Sequence, residues 1–384
     1  MQPADHHIAL NAHLLTAQAG YRSAGINGYI ANLLRALPDA DPTLRYTVFA
    51  GPQATVPEGT RLRVRRGAWR TERPLARIAW EQIAQPVALA RTRPDLAHQL
   101  AFVAPVLSRV PFVVTVYDLS FVRYPERLPA ARRWYLRLLT RRSCQRARRV
   151  IAISRSTAAD LTAIFGVPAE RIDVAVPGVG EEFTPLPRTE VEAFRAEKGL
   201  PARFFLFLGT LEPRKNLPVL LRAYAALPAS DREAVHLVLA GGRGWMTGEI
   251  ERTLEQHDLA RTVHRPGYVP AEDLPLWYNA AEALVYPSVY EGFGLPVVEA
   301  MACGTPALGA DSSSLPEAAG DVGRCVPPHD EAAWTEALAQ TMHDQTWRVE
   351  AGERGRTHAQ QFTWARTAAQ TVASYRRALG ETVG

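Results

Sequence analysis

The sequence predicts an α/β chain folded as two doubly wound, Rossmann-like domains, and three observations carry that expectation. Short apolar runs alternate with amphipathic stretches along the chain, the pattern of strands and helices laid in layers. The 384 residues exceed the size at which a single hydrophobic core stops growing. The alternation is interrupted by a Pro-rich polar stretch, PGVGEEFTPLPR at 177–188, and then restarts.

In chain order, the apolar runs of the first half place strands at 7–11, 46–50, 96–98, 112–116, 150–153 and 172–176. Each is too short for a stable helix and several are rich in β-branched residues. Amphipathic spacing places helices at 28–37, 75–91, 129–146 and 156–165, the last with Ser154 or Ser156 as its cap. Beyond the linker, strands are expected at 204–208, 236–240, 263–265, 283–286, 305–308 and 324–326, with helices between them. The domains are drawn at 1–182 and 183–362, followed by a terminal helical segment at 363–384.

Composition narrows the function classes. Hydrophobic residues make up 47% and charged residues 22%, a globular balance, and no apolar run approaches the ~18 residues of a membrane span. The N-terminus lacks the basic and apolar regions of a signal peptide, so a cytoplasmic protein is expected. Cys144, Cys303 and Cys325 lack metal spacing and read as free thiols of a reducing compartment. A formal charge of +5 does not argue for nucleic acid. Of 44 Lys plus Arg residues only Lys198 and Lys215 are lysine, which draws attention to each.

Ligands of open α/β sheets bind beyond the carboxyl ends of strands. Three such loops in the second half stand out. In FFLFLGTLEPRKNLPVLL a buried strand ends at Gly209, and Arg214, Lys215 and Asn216 precede a helix. Two cations beside the orphan N–H groups of a helix start suit a diphosphate, although a solvated charged turn has the same composition. In HLVLAGGRGW, Gly241, Gly242 and Gly244 surround Arg243, and glycine permits close backbone approach to a ligand or an ordinary turn. In ALVYPSVYEGFGLPVVEAMACGTPAL, the loop Glu291-Gly292-Phe293-Gly294 leads into a helix with Leu295 and Pro296 at its start. Glu291 in the loop and Glu299 in the expected first helical turn flank that helix end, eight positions apart. Carboxylates accept hydrogen bonds from sugar and ribose diols, and the exposed N–H groups between them suit phosphate oxygens. Complementarity to the helix dipole explains Glu299 by itself but not Glu291 with its flanking glycines.

The stretch EGFGLPVVE resembles the E-x7-E motif of the retaining family 4 glycosyltransferases, which have the GT-B fold. LGTLEPRKNL, AISRSTAADL, GVPAERIDVAVPGV and the closing FTWARTAAQTVASY are similar to further segments of that family, so the resemblance covers most of the chain. It implies two Rossmann-like domains facing a cleft, the first binding the acceptor, the second a nucleotide-diphosphate sugar, with the terminal helix packing back on the first. It implies that Arg214 and Lys215 grip the diphosphate and Glu299 holds the ribose. Glu291 then holds a hydroxyl of the transferred sugar, and the amides of Gly292, Phe293, Gly294 and Leu295 line sugar and phosphate. Gly209, Gly241, Gly242 and Arg243 complete the donor loops. No metal or cofactor is implied, and the nearest likeness is to mannosyltransferases of surface-polysaccharide assembly, hence GDP-mannose.

In the first half, SAGINGYIANLL offers Gly25, Asn27 and Gly28 as a loop closing over the donor phosphates, with Asn27 where the family has glycine. An ordinary helix entry fits the same residues. FVVTVYDLSFVRYPE carries Tyr117 where the family has histidine, so Tyr117 is expected to offer a hydrogen bond to the sugar, or only to shape the pocket. The segment 123–149 holds ten arginines. Its stripe Trp134, Tyr135, Leu138, Leu139 reads as core packing and its arginines as a solvated face, or as contact with an anionic membrane or a lipid-diphosphate acceptor. His98 reads as a core residue. The expected activity is metal-independent, retaining hexosyl transfer to a saccharide or lipid-linked acceptor. A nucleotide-sugar binder that has lost catalysis, or an epimerase or hydrolase of the same fold, are the alternatives.

Overall fold

The computed structural model describes residues 6–15, 24–57, 61–69, 71 and 74–381. The chain divides into two compact units, residues 1–178 with 363–384, and 179–362.

Unit 1 holds seven parallel strands: β1 (His7–Asn11), β2 (Arg45–Ala50), β3 (Leu62–Arg66), β4 (Leu96–Gln99), β5 (Phe112–Val116), β6 (Arg149–Ala152) and β7 (Ile172–Val174). Their order is β3-β2-β1-β4-β5-β6-β7. Unit 2 holds β8 (Phe204–Leu208), β9 (His236–Ala240), β10 (Val263–Gly267), β11 (Ala283–Tyr286), β12 (Ala307–Ala310) and β13 (Arg324–Val326), in the order β10-β9-β8-β11-β12-β13. All pairings are parallel. Each sheet winds outward both ways from its first strand, so the topological switch points lie between β1 and β4 and between β8 and β11. The central strand β8 carries Phe204, Phe205, Leu206 and Phe207 with no exposed surface, as a strand covered by helices on both faces requires.

The helices that matter for function are α1 (Ala24–Ala40), α2 (Pro74–Ala79), α3 (Gln85–Thr92), α4 (Ala130–Arg146), α5 (Arg155–Phe165), α6 (Leu217–Ala225), α7 (Leu295–Ala302) and α8 (Trp364–Leu379). The caps follow local chemistry. Ser154 Oγ accepts the Thr157 N–H at 3.0 Å, and Gly166 ends α5 at φ +66°. Helix α8 belongs to unit 1. Its Tyr375 hydroxyl lies 2.7 Å from His98 Nδ1, and Arg376 reaches Asp41 at 2.6 Å. His98 also lies 2.8 Å from Thr115 Oγ1, and burial lowers its pKa to about 3, so it is a neutral core residue.

Several sequence expectations are corrected. Strand β3 (LRVRR) is a charged edge strand, whose half-exposed pattern reads as a loop. The expected helix at 75–91 is broken by a π-helical turn, Trp80–Ala84, ahead of Pro86, which has no N–H to continue the ladder. The strand expected at 305–308 starts two residues later, because the Thr305 N–H is engaged by Ala300 O and Pro306 follows. Helix α1 begins at Ala24, so Gly25, Asn27 and Gly28 lie inside it, and Asn27 is not among the residues with positive φ. Helix α4 turns Thr140, Ser143 and Cys144 inward, with Ser143 Oγ accepting the Ala104 N–H at 2.8 Å. The small residues allow close approach to the sheet, so the apolar stripe is not core. Tyr135 and Leu139 are half-buried, while Trp134 is 67% and Leu138 44% exposed.

Candidate active site

The loops leaving β8 and β11 flank the switch point of unit 2, and they meet there. Pro213–Lys215 forms one 3₁₀ turn, and Asn216 at φ +56° redirects the chain into α6. Ser288 Oγ donates to Arg214 O at 3.0 Å, and the Val289 N–H donates to the same carbonyl at 2.9 Å, tying the two loops together.

This backbone contact places three expected residues in one buried cluster. Arg214 Nη1 donates to Glu291 Oε2 at 2.7 Å, and Lys215 Nζ donates to Glu291 Oε1 at 2.6 Å. Ser288 Oγ donates to Glu291 Oε1 at 2.5 Å, and Glu212 pairs with the other side of Arg214. Lys215 Nζ also reaches the Tyr286 hydroxyl at 2.5 Å and stands 4.6 Å above that ring. Burial pulls the Lys215 pKa down to about 8, with Glu291 opposing that effect. Burial alone would raise the pKa of Glu291, but Arg214 and Lys215 hold it at about 2. The site thus keeps a permanent carboxylate and a lysine cation that is lost just above neutral pH.

Glu299 is set apart. It lies at the fifth position of α7, past the first turn, because the helix begins at Leu295. Its Oε2 accepts the Tyr278 hydroxyl at 2.7 Å, and burial raises its pKa to about 7, with a further push from Glu182. The chain enters α7 through Gly294 at φ +107°, where a Cβ would also meet Leu315 Cδ2 at 2.7 Å, so glycine is required. Phe293 is buried against Phe362, and within the run Gly292–Leu295 its side chain anchors the loop.

Other expected residues are engaged elsewhere. The Gly209 N–H donates to Ala240 O and the Gly241 N–H to Gly267 O, while Gly242 O accepts from the Leu211 N–H. A Cβ on Gly241 would lie 2.0 Å from Gly209 O, so Gly241 lets two parallel loops pack together. Arg243 is exposed and lies 3.4 Å from Glu251. In unit 1, Tyr117 is buried, donates its hydroxyl to Leu100 O at 2.7 Å and packs edge-on against Tyr29. It therefore spends its proton on the backbone and does not offer it to a sugar. A Cβ on Gly25 or Gly28 would meet nothing within 4 Å.

Sequence reasoning missed the polar frame of the site. Glu212, Ser288, Tyr278 and Tyr286 contact its charged groups, Ser313 Oγ accepts the Glu291 N–H at 2.9 Å, and Ser314 Oγ donates to Glu291 O at 2.9 Å. The signal was the serine run of ADSSSLPEA directly after β12, also a strand carboxyl end.

Cations, a carboxylate and a glycine-framed helix start at a sheet's switch point can hold an anionic diphosphate and a polyol. Comparison with known proteins points the same way. Residues 23–183 match the family model described as Glycosyltransferase Family 4, and residues 190–358 match Glycosyl transferases group 1. O-antigen chain mannosyltransferase B of Escherichia coli is 36% identical over 265 residues, covering 69% of this chain and 70% of that protein. The chain belongs to the family 4 glycosyltransferases.

The serotype-specific mannosyltransferase WbdA of Escherichia coli is 30% identical over 78% of the chain, which spans 38% of that longer protein. Among solved structures, sucrose-phosphate synthase from Thermosynechococcus elongatus superposes with a TM-score of 0.76 at 24% identity, covering 98% of this chain and 99% of that one. Anabaena HepE in complex with UDP and glucose gives 0.72 at 17% identity, covering 97% and 99%. These likenesses establish the GT-B class of fold. Within this family 4 glycosyltransferase, Arg214, Lys215 and Glu291 meet in one contact cluster, while Glu299 stands on the adjoining helix.

Proposed function

We propose that the chain is a retaining, metal-independent hexosyltransferase that moves mannose from GDP-mannose onto a saccharide or lipid-linked acceptor. The observation that carries the reading is the buried Arg214–Lys215–Glu291 cluster at the β8/β11 switch point, beside the start of α7. The mannosyltransferase names of the O-antigen relatives support the choice of donor.

In this mechanism Arg214 and Lys215 bind the diphosphate, and the amides of Gly292 to Leu295 add a helix end worth about half a charge. Glu299 accepts hydrogen bonds from the ribose. Glu291 accepts one from a hydroxyl of the transferred hexose, for which its two oxygens have capacity beyond their present partners. As the sugar–phosphate bond breaks, the acceptor hydroxyl arrives on the same face and its proton passes to the departing phosphate. The protein's part is to hold charge where charge develops. Tyr117 carries no proton in this scheme.

Membrane contact belongs to the same proposal. Helix α4 has six arginines and no acidic residue, and Trp134 and Leu138 project from it into solvent. Apolar side chains among cations suit the surface of an anionic bilayer, at its cytoplasmic face, where a lipid-linked acceptor resides.

The deciding experiment is a thermal-shift screen of nucleotides and nucleotide sugars, followed by product analysis with and without saccharide acceptors, each in the presence of EDTA. A ligand at ~100 times its dissociation constant adds about 2.7 kcal/mol of stability. GDP and GDP-mannose are expected to shift the melting temperature, and mannose to reach the acceptor with its anomeric configuration kept. Hydrolysis or epimerisation without transfer would replace this reading. Loss of transfer in EDTA, restored by a divalent ion, would overturn its metal independence.

A further inference from the structure

The switch point of unit 1, between β1 and β4, carries a second polar cluster that the donor-site reading leaves unused. Asn11 ends β1 and Gln99 ends β4. Asn11 Nδ2 donates to Gln85 Oε1 at 3.1 Å and to Gln99 Oε1 at 2.9 Å, and Gln85 Nε2 donates to Gln99 Oε1 at 2.8 Å. This buried amide triad forms a satisfied floor. Two residues beyond Asn11, His13 Nε2 lies 2.8 Å from Glu81 Oε1, with both side chains almost sealed from solvent. Glu81 stands on the π-helical turn, its Oε2 accepts the Tyr135 hydroxyl at 2.6 Å, and Arg77 Nε lies 3.8 Å from Oε1. The His13 backbone is fixed as well, since Thr71 Oγ1 donates to its carbonyl at 2.8 Å.

A purely structural network would close on itself, because buried polar groups left unpaired are costly. This one has two open ends. His13 Nδ1 and Gln82 Nε2 are buried and have no hydrogen-bond partner. Burial alone would make Glu81 a weaker acid, but hydrogen bonds from His13 and Tyr135 and the charges of His13 and Arg77 hold it as a carboxylate. A carboxylate can only accept, so Nε2 carries a proton and Nδ1 is the ring atom left over. Nδ1 is an acceptor in the neutral ring and a donor in the cation, and a hydroxyl can meet either state. A π turn, a strand-end position and a histidine oriented by a carboxylate are features of ligand sites in α/β folds.

We propose that His13 Nδ1, with Gln82 beside the Glu81 carboxylate, binds a hydroxyl of the saccharide acceptor in unit 1. Glu81 is then a positioning residue, itself held by Tyr135. The proposal rests on the transferase reading and deepens it. The chemistry selects a neutral polyol over a phosphate, because the arginine in the cluster, Arg77, is balanced by Glu81. Since Nδ1 is shielded from water, an arriving hydroxyl supplies a missing partner and displaces little.

The test uses the full chain loaded with GDP and titrated calorimetrically with α-linked mannobioses. His13→Gln keeps a polar atom at the Nε2 position facing Glu81 and removes the one at Nδ1. His13→Asn does the reverse. Mannobiose affinity is expected to fall about tenfold in His13→Gln and to stay within about twofold in His13→Asn, the scale of one hydrogen bond. GDP affinity should be unchanged in both. Glu81→Gln, which still accepts from His13, should be milder than His13→Gln. A purely structural role predicts the opposite ranking, with His13→Gln better tolerated. That ranking, equal affinities in all variants, or no mannobiose binding by GDP-loaded wild type would overturn the proposal. Failure of wild type to bind GDP, or to transfer any hexose, would instead sink the transferase reading, and the mannobiose ranking would still decide the role of His13.

Discussion

Glu299→Gln should make the protein more stable and bind nucleotide less well, and the size of the first effect follows from the structure. Burial raises the Glu299 carboxyl from 4.5 to about 7. The folded state therefore binds a proton that the unfolded state releases, and stability falls as pH rises from about 4.5 to 7. Above pH 7 the full cost of keeping a carboxylate there is present. At 1.36 kcal/mol per pKa step the rise corresponds to about 3 kcal/mol. Glutamine removes the charge while its amide oxygen still accepts the Tyr278 hydroxyl, so a gain of about 1–3 kcal/mol is expected at pH 8 and almost none at pH 4.5. Urea unfolding at both pH values measures this, and calorimetry with GDP reads the other side. Loss of a charge-assisted hydrogen bond to ribose, about 1.5–3 kcal/mol, weakens GDP by roughly 13- to 150-fold. A variant no more stable than wild type at pH 8 would refute the burial argument. Unchanged GDP affinity would refute the ribose role.

Lys215→Ala should cut turnover by ~10²–10³-fold at saturating donor, the loss expected when one preorganised charge stabiliser is removed; full turnover in a folded variant would remove Lys215 from the site. The kcat/KM profile should be a narrow bell. It declines as pH falls through about 7, where Glu299 loses its carboxylate, and as pH rises through about 8, where Lys215 loses its charge; a profile flat from pH 6 to 9 would contradict both assignments. Tyr117→Phe leaves the buried Leu100 carbonyl without its donor and should cost about 1–3 kcal/mol in unfolding assays while turnover of the folded enzyme stays within twofold; a tenfold drop in turnover would return the hydroxyl to the reaction. Binding to anionic vesicles at low ionic strength should weaken in Trp134→Ala and vanish at high salt; co-sedimentation that is absent in wild type would return the α4 arginines to a solvated face.

The sequence by itself determined the layered α/β class, the restart of the pattern near residue 180 and the three donor-side loops. Each is a local property: hydrophobic period, glycine and proline placement, and charge beside a helix start are written over a few neighbouring residues. The charged edge strand Leu62–Arg66 escaped because an edge needs no apolar face. Only the tertiary structure decided which side of α4 faces the core. Thr140, Ser143 and Cys144 pack closely where the bulkier Trp134 does not, and hydrophobicity alone ranks them the wrong way. It also decided the partners. Arg214 and Glu291 are 77 positions apart, His13 and Glu81 lie on different elements, and Tyr117 gives its proton to Leu100. Hydrogen bonds and buried charges between distant segments depend on how parallel strands bring their ends together. No local pattern encodes that arrangement, so the residues that could act were legible in the sequence, and what each of them touches was not.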